Sequence, residues 1–458
     1  MQSESFSQVL KNPGFLNLWI NQILVQLAYN SLNFALIIWV FRLTDSNIAV
    51  STLLFAIYLP AVLFGLFAGV LVDVTDKKKV IMAIDLSLAV LFFSLIFFKW
   101  YYWAILIVAF LVNALAQFYN PSESSAIPLI VKKEQLLMAN SLFSTTLFSS
   151  FLIGFALAGP MLTHFGINWV FGFGAITLSL AFLLSFRLSP IVSLADAQGK
   201  RLITALTERN LSAIKQVGFA EMKQTMGLIR KKLALSFSIL ILGGVQVVIG
   251  ILAVLLPSFF ERVLQIKATD ASQVIIIPLG LGMILGGFLI GKTGYKFARR
   301  AIVSRAIFVA GLLFFIVGIA PLISPVIKYF PKVHRPLPFF YQPPLSSVLI
   351  FGSFLLGVAM VSIVIPSQTI LQENTPEQDR GKVFSVLGTM MAGMSLLPVL
   401  LAGILADLFG PTSIFIGMGG IIVLIGLFAI KPDFYFAENH LSFNLKEFLG
   451  LGHWRKKE

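Results

Sequence analysis

The chain has 458 residues, 58% of them hydrophobic and only 12% charged, with a mean hydropathy of +0.92. A soluble domain carries roughly 25% charged residues, so a soluble globular protein is excluded. The chain has no cysteine, which excludes a disulfide framework, a thiolate metal site and a thiol nucleophile.

The elements follow in chain order. A short polar stretch, 1–14, precedes an apolar run over 15–41 that is too long for a signal-peptide core and reads as a retained helix. Further runs of about 20 residues, each long enough to cross a ~30 Å hydrocarbon core as a helix, fall at 48–72, 80–98, 102–121, 140–162 and 168–187. Segment 188–232 is polar and is expected to lie as an amphipathic helix on the membrane surface, with a solvated linker as the plainer alternative. Six more runs follow at 233–259, 271–291, 301–323, 346–371, 381–406 and 411–430. Between the ninth and tenth, residues 324–347 carry Pro325, Pro331, Pro336, Pro338, Pro343 and Pro344, too many for a helix, and predict a stiff external loop. The tail, 431–458, ends in a short amphipathic piece over 441–454. The expected fold is an all-α membrane protein of twelve transmembrane helices.

Cation placement predicts orientation. With the N-terminus inside, the inward segments hold 27 of the 34 Lys and Arg, and the outward segments 7. This asymmetry predicts a multi-pass protein of the cell's inner membrane with both termini cytoplasmic. It also accounts for the net charge of +14 through attraction to an anionic inner leaflet, leaving no call for a nucleic-acid partner.

The two halves repeat. Ala158-Gly159 and Phe165-Gly166 return as Ala402-Gly403 and Phe409-Gly410, an offset of 244, and Pro121-Ser122 returns as Pro366-Ser367, an offset of 245. Two landmarks that agree within one residue indicate a duplicated six-helix unit: bundles over 15–187 and 233–430, pseudo-symmetric, joined by 188–232. Such repeats place a binding site at their interface, whose exposure alternates as one half rocks against the other.

Intramembrane amides are seldom idle, and here they concentrate on four segments. Gln22, Gln26, Asn30 and Asn33 share one face of the first, and Asn113, Gln117 and Asn120 one face of the fourth. Gln246 lies in the seventh, and Ser362 and Gln368 in the tenth. Interhelical hydrogen-bond glue is the alternative role for any one of them. Among acids, Asp85, Glu123 and Glu373 come nearest to mid-membrane. Each is a candidate proton carrier, and an ion pair with Lys78 or Lys79 is the structural alternative for Asp85. His164, His334, His440 and His453 fall at segment ends, loops or the tail, so neither a metal nor another cofactor is expected.

The stretch Gly69 to Lys79, a glycine, a spacer, Asp73 and the basic turn Lys77-Lys78-Lys79, resembles the loop signature of the major facilitator superfamily. Phe15-Leu16-Asn17-Leu18-Trp19, Ala139-Asn140-Ser141, Gly227 to Lys231 and Thr375 to Phe384 are similar to its drug-exporter branch, related to macrolide and siderophore exporters. Gly159-Pro160 resembles that group's exporter motif, although close packing of small residues explains it equally. The chain departs from the pattern at Val74, Asp76, Asn30 and Gly291.

The resemblance implies that the first, fourth, seventh and tenth helices line a cavity, so the amides become substrate contacts. It also implies gating roles for Gly69, Asp73, Lys77, Lys78 and Arg380, with topology alone the plainer role for the lysines, and a monomeric state. The expected function is a secondary active transporter of a small neutral or amphipathic molecule, an efflux carrier driven by proton antiport. A lipid or lysolipid transporter and a non-transporting scaffold or sensor are the alternatives. No clustered nucleophile, metal site or acid–base pair points to an enzyme.

Overall fold

The computed structural model describes residues 9–73, 75–132, 135–191, 226–227, 229, 232–265, 267–293, 299–327, 344–375 and 380–430. Most of the surface helix expected in 188–232, most of the proline-rich loop and the tail lie outside these residues. Twelve helices long and apolar enough to cross a membrane account for nearly all of the rest. They are α1 Pro13–Thr44, α2 Asn47–Asp73, α3 Lys77–Phe98, α4 Tyr102–Ile130, α5 Leu136–His164 and α6 Ile167–Ser185. After the central segment come α7 Leu233–Ser258, α8 Ile277–Thr293, α9 Arg299–Ile327, α10 Pro344–Asn374, α11 Arg380–Phe409 and α12 Pro411–Ile430.

Several helices exceed their expected bounds, most of all α4, which runs through Pro121 and Pro128 to Ile130. A proline that would end a soluble helix is tolerated in a membrane when nearby groups satisfy the freed backbone. Around Pro121, Ser122, Ser124 and Ser125 turn their hydroxyls onto the carbonyls of Phe118, Asn120 and Pro121, at 2.7, 2.9 and 2.7 Å, adding bonds beside the Gln117 carbonyl that the proline leaves without its helical donor. The equivalent proline, Pro366, also lies inside its helix, α10.

The repeat has a backbone signature. Gly166 and Gly410 open α6 and α12 at φ of 82° and 79°, a left-handed conformation costly for any residue with a Cβ. One turn geometry therefore serves both copies of the Phe-Gly pair.

The chain divides into two compact units. The first comprises Met1–Thr44, Thr52–Met226 and Phe384–Leu396, and the second Asp45–Ser51, Gly227–Val383 and Leu397–Glu458. In the first unit α1 packs on α4, α5 and α6, and α3 on α4 and α6. In the second, α10 packs on α7, α8 and α9, and α9 on α12. The pairs α3–α6, α3–α4 and α1–α4 thus recur as α9–α12, α9–α10 and α7–α10, as a duplicated bundle requires. The most enclosed helix is α1: 67% of its apolar window is buried, against 22–44% for the other eleven spans. Its polar side chains therefore meet protein rather than lipid.

Between α7 and α8 the chain leaves regular helix. Phe259–Val263 and Ser272–Ile276 are π-helical, with a 3₁₀ turn at Ala268–Asp270. The first π segment starts two residues after Pro257, where a backbone donor is missing.

A cluster of buried polar groups in the first unit

The amides of α1 lie on two sides. Gln22, Gln26 and Asn30 are buried, and Gln22 and Asn30 face α5. Gln22 donates weakly to the Phe143 carbonyl at 3.4 Å, and Asn30 donates to the Gln26 carbonyl at 2.8 Å while packing against Gly154. Gly154 is required there, because a Cβ would stand 2.8 Å from that of Asn30. The Ser31 hydroxyl completes the seam with a 3.1 Å bond to the Gly154 carbonyl. Gln22 Oε1 and Asn33 Oδ1 are buried acceptors with no partner among the described residues.

The amides of α4 meet α1 through Tyr29, whose hydroxyl donates to Asn113 Oδ1 at 2.5 Å and also bonds the Asn33 side chain. Asn113 Nδ2 turns back to the Ala109 carbonyl at 2.8 Å, and half-buried Gln117 donates to the Asn113 carbonyl at 3.3 Å. Asn33 and Asn113 thus meet at Tyr29, with Gln117 one turn further along α4, apart from the Gln22–Gln26–Asn30 row. In the second unit Gln246 and Gln368 are half-buried. Ser362 is half-buried as well and bonds the Val358 carbonyl of its own helix at 2.7 Å.

The acids separate sharply. Glu373 is exposed and held by Arg299 in a two-pronged ion pair, at 2.5 and 2.7 Å. Asp85 and Glu123 are buried, at 0% and 3% exposure. The ion pair weighed for Asp85 is not formed. Lys78 Nζ bonds the Phe186 carbonyl at 3.0 Å, Lys79 is exposed, and the partners of Asp85 are neutral. The reason is depth: Asp85 stands about 10 Å along α3 from the lysines at 1.5 Å per residue, among groups from three other helices. Asn21 Nδ2 donates to Asp85 Oδ2 at 2.7 Å, and Ser185 Oγ donates to the same oxygen at 2.8 Å. The Tyr119 hydroxyl lies 2.7 Å from Asn21 Oδ1 and 3.2 Å from Glu123 Oε1. Because α4 continues to Ile130, Glu123 lies inside the helix and not at its mouth.

Asn21, Tyr119 and Ser185 escaped the sequence reading. Asn21 lies off the Gln22 face, and Ser185 looks like one more helical serine. The available signal was Tyr119 and Glu123 four residues apart on one helix face.

In the loop signature, Lys77 is fully buried and donates to the Thr75 carbonyl at 3.1 Å. Gly69 is half-buried with open space where a Cβ would project. The side chains of Asp73 and Arg380 lie outside the described residues. Asp76, a departure from the pattern, caps α3: its carboxylate accepts from the backbone of Lys78 at 3.1 Å and of Ile191 at 3.0 Å, tying the stretch after α6 to the start of α3.

The Major Facilitator Superfamily sequence model matches residues 18–331 and 336–443. The chain belongs to the major facilitator superfamily. Among relatives of this superfamily protein, macrolide efflux protein A of Streptococcus pyogenes is 22% identical, over 90% of this chain and 94% of its own length. The multidrug efflux pump Tap of Mycolicibacterium fortuitum is 23% identical, over 81% of this chain and 84% of its own. The fold is shared with an auto-inhibited peptide transporter of the POT family, at a TM-score of 0.64 and 14% identity over 94% of this chain and 99% of that one. The nucleoside transporter NupG gives 0.64 and 14%, over 92% and 99%. This superfamily member is a multi-pass membrane transporter and not an enzyme.

Proposed function

We infer that the protein is an efflux carrier for small neutral or amphipathic molecules, worked by alternating access and driven by proton antiport. Its orientation is the one the cation asymmetry predicts, with both termini in the cytoplasm of a cell whose inner membrane it spans, and it acts as a monomer. The observation that carries this reading is the polar content of the first unit: tyrosine and amides around Asn113, and two buried carboxyls with only neutral partners. Neutral donors and acceptors suit a cargo of low charge. A phosphorylated cargo would require a buried cation, and among the described residues the buried cation, Lys77, lies at the start of α3 and is engaged by Thr75.

The names of the relatives support export and suggest macrolides and other lipophilic drugs as cargo. Asp85 and Glu123 are the candidate proton carriers. Glu373 drops behind them because Arg299 engages it at the surface. Asp73 and Arg380, with Gly69, Lys77 and Lys78, keep the gating role that the loop signature implies.

The test is accumulation of radiolabelled erythromycin and of ethidium in cells lacking their own exporters, with and without a protonophore. Depletion that depends on the protein and is abolished by the protonophore is expected. Accumulation equal to that of control cells for both compounds would overturn the drug-efflux reading, and depletion that survives the protonophore would overturn proton antiport alone.

A further inference from the structure

The buried polar atoms of the first unit are unbalanced in one direction. Among its described residues three side-chain atoms are buried without a partner, Gln22 Oε1, Asn33 Oδ1 and Asp85 Oδ1. All three are oxygens, and the two amide oxygens can only accept. The amides acquire that sense from backbone carbonyls, which also can only accept. Gln22, Asn30, Asn113 and Gln117 each direct their nitrogen at one, those of Phe143, Gln26, Ala109 and Asn113, at 3.4, 2.8, 2.8 and 3.3 Å. Turning any of these amides over would set oxygen against oxygen, so the amide oxygen is the end left to face another group.

Around Tyr29 this sense passes from α4 to α1. With Asn113 Nδ2 on the Ala109 carbonyl, Asn113 Oδ1 points at Tyr29, and the one hydroxyl proton of the tyrosine is spent there at 2.5 Å. Tyr29 can then only accept from the Asn33 side chain, which takes the Asn33 nitrogen and leaves Oδ1 without a partner. Asn33 keeps one further N–H, so it offers two acceptor positions to one donor. The residue is half-buried and its oxygen is closed off from solvent in this conformation. An unsatisfied acceptor is costly in such a place, and a donor arriving on it removes the cost. The surroundings are aromatic. Asn113 and Gln117 are bracketed on α4 by Phe110 and Phe118, both of which meet Phe64 of α2 with ring centroids 6.3 Å apart. Gln117 Oε1 lies 3.6 Å from where a Cβ would stand on Gly65, the next residue of α2.

We propose that Asn33 is a specificity-determining residue whose amide oxygen accepts from an O–H or N–H of the cargo, with Tyr29 and Asn113 as positioning residues that hold it in that sense. The cargo class is then narrower than neutral or amphipathic. It is a lipophilic molecule that carries a hydrogen-bond donor, and not one whose polar groups are ethers, esters or tertiary amides alone. This deepens the efflux reading and rests on it for the access that alternating exposure gives to Asn33. The preference itself is a matter of equilibrium binding, independent of the direction of transport and of proton coupling.

The probes are rhodamine 123 and tetramethylrhodamine methyl ester. They share one cationic methyl-ester skeleton, and the N–H groups of the first are N-methyl groups in the second. Binding of each to the full-length protein in lipid nanodiscs is followed by fluorescence anisotropy, with protein-free nanodiscs subtracted. Rhodamine 123 is expected to bind about tenfold more tightly than its methylated partner, the upper end for one net hydrogen bond. Asn33→Leu is expected to remove that preference by weakening rhodamine 123 alone. Tyr29→Phe frees the Asn33 amide to turn over and is expected to lower the ratio as well. Asn33→Asp keeps an acceptor oxygen in place and is expected to retain it. A merely structural role for Tyr29 would weaken both dyes alike and leave the ratio unchanged. Equal affinities in the unmodified protein, the outcome if water serves the Asn33 oxygen, would overturn the proposal. Binding of neither dye, or a ratio that survives Asn33→Leu, would overturn it too. Should Asn33→Leu fail to fold, Asn33→Ala removes the same oxygen. Accumulation of erythromycin and ethidium equal to that of control cells would instead overturn the efflux reading, and the binding ratio would still decide the role of Asn33.

Discussion

At the scale of single residues, the three acids that looked alike along the chain are set apart by their neighbours. Glu373 is exposed and paired with Arg299, while Asp85 and Glu123 are enclosed by neutral groups. Glu373→Gln is therefore expected to leave protonophore-sensitive efflux of ethidium at the unmodified level, whereas Asp85→Asn and Glu123→Gln each abolish it. The same transport assay, with expression matched by immunoblot, checks all three. Asp76 gives a prediction about stability. Its carboxylate caps α3 and also holds the Ile191 backbone, so Asp76→Ala is expected to cost about 2 kcal/mol, the upper end for a lost cap. A lowered melting temperature of the detergent-solubilised protein would report it. None of this could be read along the chain, because burial and partner are properties of where other helices arrive. Asn21, beside Gln22 in sequence, faces α3 and α6 while Gln22 faces α5.

Among elements, the twelve helices were legible because a bilayer demands about 20 apolar residues per crossing, and hydropathy records that demand directly. Their ends were less legible, since Pro121 punctuates a soluble helix but lies inside α4. The π segments after Pro257 left no trace that periodicity could detect. Contact between helices is also written in glycines whose purpose appears only in three dimensions. A Cβ on Gly282 of α8 would lie 1.9 Å from the Phe354 carbonyl oxygen of α10, and one on Gly357 would lie 2.0 Å from the Leu279 oxygen. Backbone cannot retreat as a side-chain tip can, so Gly282→Ala and Gly357→Ala are each expected to destabilise by about 1–3 kcal/mol through overpacking. Gly352, on α10 with open space around it, serves as the control. Gly352→Ala is expected to leave the melting temperature unchanged within measurement, and thermal unfolding of the three variants checks the set.

For the whole molecule, the repeat was visible at one offset before any coordinates, and the paired left-handed glycines Gly166 and Gly410 give it a structural cause. Orientation is a separate matter, because a bundle alone does not say which end faces the cytoplasm. Two signals bear on it. Cations gather at the end where α1 begins, the side that the positive-inside rule assigns to the cytoplasm. The opposite end of the first unit carries exposed Trp100, Tyr101 and Trp103, with Lys99 over the Trp100 ring, as expected where a helix pair meets the headgroups. The chain contains no cysteine, so single cysteines need no altered background. Tyr101→Cys, at the turn between α3 and α4, is expected to react with a membrane-impermeant maleimide added to intact cells. Lys132→Cys, exposed just after α4, is expected to react only in everted vesicles. The reverse pattern would place the termini outside, and with them the Asp85–Glu123 pair, which lies in the half of α3 and α4 nearest the basic end. Proton entry to that pair would then be from the outer medium, and the direction of coupled transport would have to be reversed with it.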